Sequence, residues 1–266
     1  MKKVLIFGLL VFMSAATISH AADKYWDGGS TNDRWLTAEN WNNDALPAVG
    51  DRVFFDVAGD ILVETGDYLN PRRILQQDSV VGVVTVTFTG GELLNTSYWY
   101  MGREIGGEAI LNISGDTAIT TRDLLLASGN GYAGTINITG GLLNINGTGA
   151  GVGAYFGSEP ISGVTTLYTG SALVNISGGM LKIATFNTMG SNALIDISDD
   201  GKMVLSGDLT SVVDGYIQAG KIISSTGSLV VSTYEESGNT FTLVEVPEPA
   251  TICLLGFGMF TLIRKK

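Results

Sequence analysis

Apolar and small polar residues alternate along the middle of the chain in short runs that end at glycines. Four such runs share one frame, and a fifth, at 195–202, is degenerate. The four are 86–93, 111–118, 136–143 and 174–181. Alternation with a period of two is typical of a strand with one buried face, and glycine supplies the positive φ that tight turns need. The pattern therefore predicts short strands joined by glycine turns.

The spacing of the runs indicates how these strands are arranged. Equivalent positions are separated by 25, 25, 38 and 21 residues, measured at Thr87, Asn112, Asn137, Asn175 and Asp196. A repeat near 25 is too short for a propeller blade of roughly 40 to 45 residues and lacks the helix of a leucine-rich repeat. The long step predicts a flexible insertion at 147–171.

The fold class that fits this repeat is all-β. We expect a single right-handed parallel β-helix over residues 61–245, in which each repeat forms one coil and successive coils stack about 4.8 Å apart. Stacking would place Asn112, Asn137 and Asn175 above one another as a hydrogen-bonded amide ladder. Because Asn95 lacks such neighbours, we expect it to tolerate substitution better than Asn137. The Asn-Ile-Ser and Asn-Ile-Thr triplets also match N-glycosylation sequons, so a glycan site is the alternative.

A tryptophan-rich block over residues 22–60 precedes the repeats. It holds Trp26, Trp35 and Trp41, followed by a Pro-x-x-Gly-Asp sequence at 47–51 and by the first predicted strands. The block resembles the start of many exported β-helix proteins, including autotransporter passenger domains. An open solenoid end exposes strand edges and a hydrophobic cross-section, so the tryptophans are expected to form a cap. The alternative is a platform on which sugar rings stack.

The N-terminus has the features of a secretory signal peptide, predicted at residues 1–21. Lys2 and Lys3 precede an apolar run at 4–12, and small residues stand at Ser19 and Ala21. Cleavage is expected after Ala21. An uncleaved membrane anchor is the alternative, and both interpretations imply export.

The C-terminus combines three features in order over residues 246–266. Pro247-Glu248-Pro249 is followed by an uncharged stretch at 250–263 and by the basic stop Arg264, Lys265 and Lys266. This tail resembles the sorting signal of the PEP-CTERM proteins of Gram-negative bacteria. The resemblance implies a short transmembrane helix at 250–263, held transiently in the inner membrane until an exosortase cleaves near Pro247-Glu248-Pro249. A span usually needs about 20 residues, so the helix would be short.

Composition excludes several chemistries between the two ends. The only histidine is His20 and the only cysteine is Cys253, both in the terminal signals. This excludes a Ser-His-Asp triad, a cysteine nucleophile, a His or Cys zinc site and disulfides from the part between them. Residues 22–246 contain 10 Lys or Arg and 25 Asp or Glu, a net charge of −15. Nucleic acid is therefore not an expected partner.

The remaining candidate chemistry rests on carboxylates. Asp196, Asp199 and Asp200 cluster near a turn and are weak candidates for binding Ca²⁺, the one cofactor considered. We expect a non-catalytic structural or adhesive protein of the cell surface or extracellular matrix, associated with exopolysaccharide. The alternative is a β-helical polysaccharide lyase or glycoside hydrolase. An acidic cluster converging with an Arg or Lys in a groove would favour the enzyme.

Overall fold

The computed structural model describes residues 21–76, 81–103, 105–161 and 164–247 of the chain. Strands dominate it, together with one α-helix, α1 (Thr210–Gln218), and two 3-10 turns at Ala38–Asn40 and Asn42–Asp44 within the described ranges. The strands are β1 Asp23–Tyr25, β2 Arg52–Phe55, β3 Gly59–Val63, β4 Tyr68–Leu69, β5 Arg73–Gln76, β6 Val83–Phe88, β7 Glu92–Met101, β8 Glu108–Ile113, β9 Ala118–Leu126, β10 Ala133–Ile145, β11 Ala154–Phe156, β12 Ser158–Ile161, β13 Val164–Leu167, β14 Ser171–Ile183, β15 Ala193–Ile197, β16 Lys202–Ser206, β17 Ile222–Ile223, β18 Val230–Glu236 and β19 Asn239–Glu245.

The strands stack as three parallel ladders, here called faces A, B and C. Face A contains β1, β2, β5, the second halves of β7 and β9, and β11. Face B contains β3, β6, β8, the first halves of β10 and β14, then β15 and β17. Face C contains β4, the first halves of β7 and β9, the second halves of β10 and β14, and β16. The chain thus winds as a β-solenoid of about eight turns, which confirms the predicted fold class.

The corner between faces B and C explains the glycine that closes each repeat. Gly141 and Gly179 have φ values of 71° and 65°, a region that side chains with a Cβ rarely adopt. A Cβ on Gly141 would also lie 2.5 Å from the carbonyl oxygen of Thr117 in the preceding coil. Glycine is therefore required both by the turn and by the close stacking of coils.

The apolar positions of the frame point into the solenoid. One interior column on face B is in register from coil to coil and fully buried; it contains Val86, Leu111, Ile136, Val174 and Ile195. Burying a branched aliphatic side chain contributes about 1.5 to 3 kcal/mol. The core is therefore one continuous stack of side chains along the solenoid axis.

The C-terminal end is closed by elements that the repeat frame does not contain. Tyr216 of α1 packs edge-on against Phe186, with ring centroids 5.8 Å apart, and its hydroxyl accepts a hydrogen bond from the backbone N–H of Met189. Beyond α1, β18 and β19 form an antiparallel hairpin, and β19 also pairs antiparallel with β16, which extends face C. Parallel pairing therefore ends at β17, and it begins at β1, inside the block predicted to contain the cap and the first strands.

The insertion at 147–171 has regular structure. Strand β11 continues face A beside β9, and Tyr155 and Phe156 within it are buried. Strands β12 and β13 then form an antiparallel hairpin. The segment is therefore not the flexible excursion that its glycines suggested, because buried aromatic side chains and paired strands hold it.

Both terminal signals lie largely outside the described residues. Of the predicted signal peptide only Ala21 is described, and of the tail only Val246 and Pro247. The helix expected at 250–263 therefore lies outside the described residues. Among those that are described, no helix is long and apolar enough to cross a bilayer.

Candidate functional site

The three N-terminal tryptophans form one buried aromatic cluster. Trp26, Trp35 and Trp41 are at most 3% exposed. Trp41 meets Trp26 edge-on at 5.3 Å and Trp35 at 5.2 Å, measured between ring centroids, and its indole N–H donates to the carbonyl oxygen of Trp35 at 2.7 Å. The ring faces are covered by one another and by Phe55. This geometry suits a cap and leaves no exposed indole face on which a sugar could stack.

The repeated asparagines lie in register on the outer side of face B, where they are half-buried. The amide nitrogen of Asn137 donates to Asn112 Oδ1 at 2.9 Å, and that of Asn175 donates to Asn137 Oδ1 at 2.8 Å. Asn112 in turn donates to the hydroxyl of Thr87 at 3.2 Å. This position of the repeat thus carries a chain of amide hydrogen bonds along the solenoid surface. Ile113, which follows Asn112 on the same strand, points inward and lies in the core.

Asn95 is fully buried, unlike the half-buried asparagines of the ladder. It is 1% exposed, pairs in register with Thr121 and accepts a hydrogen bond from the backbone N–H of Ser97 at 3.1 Å. The premise that Asn95 lacks in-register neighbours is wrong, because Asn95 pairs with β9 and follows the inward positions of its own strand, as Leu93 and Ser97 do. The amide nitrogen of Asn95 is buried without a hydrogen-bond partner among the described residues, and the expectation that Asn95 tolerates substitution better than Asn137 stays a prediction.

Two of the three acidic turn residues form hydrogen bonds with Ser225 and Thr226. Asp196 Oδ1 accepts a hydrogen bond from the N–H of Ser225 at 2.9 Å, and the N–H of Asp199 donates to the hydroxyl of Thr226 at 3.0 Å. Across the described parts of the chain, no three His, Cys, Asp or Glu side chains are grouped closely enough to hold a metal ion. Asp196, Asp199 and Asp200 therefore do not assemble into the Ca²⁺ ligand set considered from the sequence.

A concave site lies where face C meets the β18–β19 hairpin. We call it the C-terminal cleft; its volume is about 650 Å³. Its walls are the last coils of face C and the turn of the hairpin. It is lined by Asn144, Asn146, Lys182, Ala184, Ser206, Gly207, Asp208, Gly238, Asn239, Thr240 and Phe241.

An aromatic residue and a cation meet in the C-terminal cleft. The ring of Phe241 stacks on Tyr234 with centroids 5.4 Å apart, and the ammonium of Lys182 lies 5.0 Å from the Phe241 centroid. Asn144 and Lys182 are register partners on adjacent coils, so their side chains project from neighbouring rungs of face C. The cleft thus combines an apolar surface with hydrogen-bonding groups.

Several polar groups of the cleft are not used by the fold. Within the described residues, the side chains of Asn144, Asn146 and Lys182 make no hydrogen bond or ion pair with another part of the protein. Asp208 differs, because the hydroxyl and then the backbone N–H of Thr210 hydrogen-bond to its carboxylate and lower its pKa. The cleft therefore offers free amide and ammonium donors beside one ionised carboxylate.

The sequence contained no signal for this cleft. Asn144 and Lys182 occupy ordinary outward positions of the repeat, while Phe241 and Asn239 lie outside it. They come together only because β19 folds back against β16. No local pattern predicts such an antiparallel return at the end of a parallel solenoid.

Comparison with known protein families matches the end of the chain. The model of the PEP-CTERM protein-sorting motif matches residues 245–266. The chain carries a PEP-CTERM sorting signal at its C-terminus. No curated protein and no solved structure matches the chain.

The PEP-CTERM signal identifies the general route that the protein takes. It marks an exported protein that an exosortase recognises and that is sorted to the cell envelope or surface. The match begins at Glu245, the last residue of β19. The solenoid of this PEP-CTERM protein therefore leads directly into its sorting signal, with Pro247 two residues after the last strand.

Proposed function

We propose that this PEP-CTERM protein is a non-catalytic structural or adhesive component of the cell surface or extracellular matrix, which binds exopolysaccharide in its C-terminal cleft. The observation that carries the proposal is the set of free polar side chains beside Phe241. Binding sites for small molecules and sugars typically combine apolar or aromatic surface with a few polar groups that fix orientation. Such groups are supplied by Asn144, Asn146 and Lys182. These side chains can bind a ligand without breaking a hydrogen bond within the described part of the protein.

The charges of the cleft favour an uncharged glycan. Among its lining residues only Lys182 and Asp208 are ionised, so their formal charges cancel. Amides donate and accept hydrogen bonds at once, which suits the hydroxyls of a neutral sugar. The remainder of the solenoid is strongly acidic and acts against a densely charged polyanion in this cleft.

The same lining argues for binding rather than hydrolysis. A glycoside hydrolase generally needs two carboxyl groups on opposite sides of the scissile bond. Asp208 is the one carboxylate that lines the cleft, and its lowered pKa keeps it ionised, so it is unsuited to act as a general acid near neutral pH. The lyase alternative retains one supporting observation, namely that Lys182 and Asp208 line the same cleft.

The first prediction tests binding in the cleft. We expect the double variant Lys182→Ala, Asn144→Ala to bind a neutral glucan such as dextran at least about ten-fold more weakly than the unchanged protein, equivalent to about 1.4 kcal/mol. Affinity gel electrophoresis with the polysaccharide cast in the gel measures the retention, and reducing-end release measured in parallel detects cleavage.

Lys202→Ala is the matched control, because Lys202 lies on the same face but pairs with Glu245 at 3.5 Å outside the cleft lining. Its retention should stay within about two-fold of the unchanged protein. Equal weakening by both variants would reject the cleft as the binding site, and release of reducing ends that Asp208→Asn abolishes would favour the enzyme.

The sorting tail completes the proposed function. We infer that residues 250–263 hold the chain in the inner membrane as an intermediate, with Arg264, Lys265 and Lys266 at the cytoplasmic interface. Fourteen residues are fewer than a span requires, so local thinning of the bilayer and snorkelling of the cations would accommodate them. Such a marginal anchor suits a segment that is later removed.

The second prediction concerns this step. Replacement of Pro247-Glu248-Pro249 by three alanines should leave full-length chain in the inner membrane, because the exosortase loses its recognition sequence. The unchanged protein should appear outside the cytoplasm without its tail. Fractionation followed by mass spectrometry of the C-terminal peptide measures both.

Glu235→Ala provides the control for the sorting test, since it removes one carboxylate from the exposed strand β18 just upstream of the signal. This variant should be processed like the unchanged protein. Peptides ending at Lys266 in the extracellular fraction of the unchanged protein would contradict cleavage.

A further inference from the structure

A second surface with binding character lies on the outside of face A, away from the C-terminal cleft. We call it the arginine–tyrosine surface and define it by Arg52, Arg72, Arg73, Tyr98, Tyr100 and Arg103. Arg52 and Arg73 are register partners on neighbouring rungs. Tyr98 and Tyr100 project from the next rung, where Tyr100 is the register partner of Leu75. Parallel stacking therefore brings residues from separate coils to within one or two strand spacings.

The aromatic rings and guanidinium groups of this surface form an ordered stack. The Arg73 guanidinium carbon lies 3.8 Å from the centroid of the Tyr98 ring. Tyr98 meets Tyr100 edge-on at 4.7 Å, and the Arg103 guanidinium carbon lies 4.5 Å from the Tyr100 centroid. Stacking on an aromatic ring fixes the plane of a guanidinium and leaves its in-plane N–H groups free to donate.

The cations of the surface are incompletely neutralised. Arg52 forms a two-pronged ion pair with Asp23. Within the described residues, by contrast, no carboxylate lies within ion-pair distance of Arg72 or Arg73. Burial lowers the pKa of Arg73, and the charges of Arg72 and Arg52 lower it further, against the opposing effect of Tyr98.

One acid faces the surface from the insertion. The hydroxyl of Tyr100 lies 3.3 Å from Glu159 Oε1 and donates to it. Burial first, and then the charge of Glu159, raise the pKa of Tyr100 to about 12. Glu159 therefore fixes Tyr100, while Arg73 on the far side of Tyr98 keeps its donors.

The concentration of arginines is unusual for this chain. Four of the ten cations in residues 22–246 belong to the surface, although the same segment carries 25 acidic residues. Arg72 and Arg73 repel one another without an ion-paired carboxylate among the described residues, which costs folding energy. An anionic ligand would offset that cost, because a carboxylate can accept two parallel hydrogen bonds from a guanidinium.

We propose that the arginine–tyrosine surface binds an anionic polysaccharide through the carboxylate groups of its uronic acid residues. The proposal rests on the polysaccharide association proposed above but names a different site and a different class of ligand. The carboxylates of such a polymer can accept hydrogen bonds from Arg73, whose guanidinium lies against Tyr98, and from the neighbouring Arg72. Double-stranded DNA carries a charge about every 1.7 Å along its axis, and the net charge of −15 on residues 22–246 would repel it. An anionic membrane would have to approach a face formed by the N-terminal coils, whereas the sorting signal leaves from the opposite end of the solenoid.

The test uses the full-length protein in detergent micelles and polygalacturonate as the probe, with binding followed by biolayer interferometry at several salt concentrations. Arg73→Gln should weaken binding at least about ten-fold. Arg73→Lys retains the charge but lacks the planar fork, so it should also weaken binding several-fold. Arg34→Gln removes the same charge from an arginine that is paired with Glu64 at 2.9 Å, and it should change binding less than two-fold.

Thermal unfolding by circular dichroism shows whether each variant keeps its fold, and Arg72→Gln replaces Arg73→Gln if the latter is unfolded.

Equal effects of the Arg34 and Arg73 variants, an Arg73→Lys variant that binds like the unchanged protein, or no binding of polygalacturonate would overturn the proposal. Binding to phosphatidylglycerol vesicles in place of polygalacturonate would also overturn it. The cleft variant Lys182→Ala, Asn144→Ala should bind dextran weakly and still bind polygalacturonate. The two proposals can therefore be rejected independently of each other. Loss of both probes in that variant would overturn the assignment to face A.

Discussion

Trp41→Ala is expected to lower the free energy of unfolding by about 3 to 5 kcal/mol, the range for truncation of a large buried aromatic side chain. Trp41 is fully buried and contacts Trp26, Trp35 and Phe55. Its truncation removes the centre of the cluster and leaves the carbonyl oxygen of Trp35 without the indole donor. The cavity would lie beside β1 and β2, the first two rungs of face A in the described part of the chain.

The consequence of losing the cap should extend beyond stability. A solenoid end without its cap exposes backbone groups that can pair with another chain, so the variant should also self-associate. Urea unfolding followed by circular dichroism measures the first effect, and analytical ultracentrifugation measures the second. Tyr68→Ala is the control, because Tyr68 is 56% exposed and its removal should cost less than about 0.5 kcal/mol. Equal losses for the two variants would show that the tryptophans do not hold the end of the solenoid.

The sequence predicted the part of the fold in which each residue contacts the equivalent residue of the neighbouring coil. Val86, Leu111 and Ile136 recur at one spacing because each must cover the same interior column. The asparagines recur because an amide on one coil needs a partner on the next. Repetition in sequence and repetition in space are then the same pattern, so the period alone predicts parallel coils.

The parts that the sequence did not predict depend on pairings that break the repeat. The hairpin of β18 and β19 reverses direction and pairs with β16, which no period reveals. Asn95 is buried because it lies at an inward position of β7, in line with Leu93 and Ser97, where a polar side chain is not expected. The C-terminal cleft depends on this hairpin, since Asn144 belongs to the repeat and Phe241 to the hairpin.

The arginine–tyrosine surface illustrates a third reason. Arg73, Tyr98 and Arg103 occupy unrelated positions of the sequence, and none lies in a recognisable motif. Their relation is set by which strands share face A and by the bend that places the second half of β7 there. To predict such a surface, one must know the face to which each half of a strand belongs. The alternation of apolar residues in 92–101 does not show where β7 passes from one face to the next.

Gly141→Ala tests whether the corner between faces B and C holds the coils at their observed spacing, and it should cost about 2 to 5 kcal/mol. The positive φ of 71° at Gly141 penalises an L-residue by about 1 to 2 kcal/mol. The new Cβ would also lie 2.5 Å from the carbonyl oxygen of Thr117, and relieving such overpacking typically adds about 1 to 3 kcal/mol.

Gly238→Ala separates the two contributions. Gly238 has a φ of 77°, but a Cβ there would meet no heavy atom within 4 Å. This variant should therefore lose only the conformational part, about 1 to 2 kcal/mol. Urea unfolding of both variants, followed by circular dichroism, gives the difference directly. If Gly141→Ala is no less stable than Gly238→Ala, neighbouring coils can move apart at this corner. If the expected difference is observed, close contact between coils requires glycine at position 141 in addition to the turn.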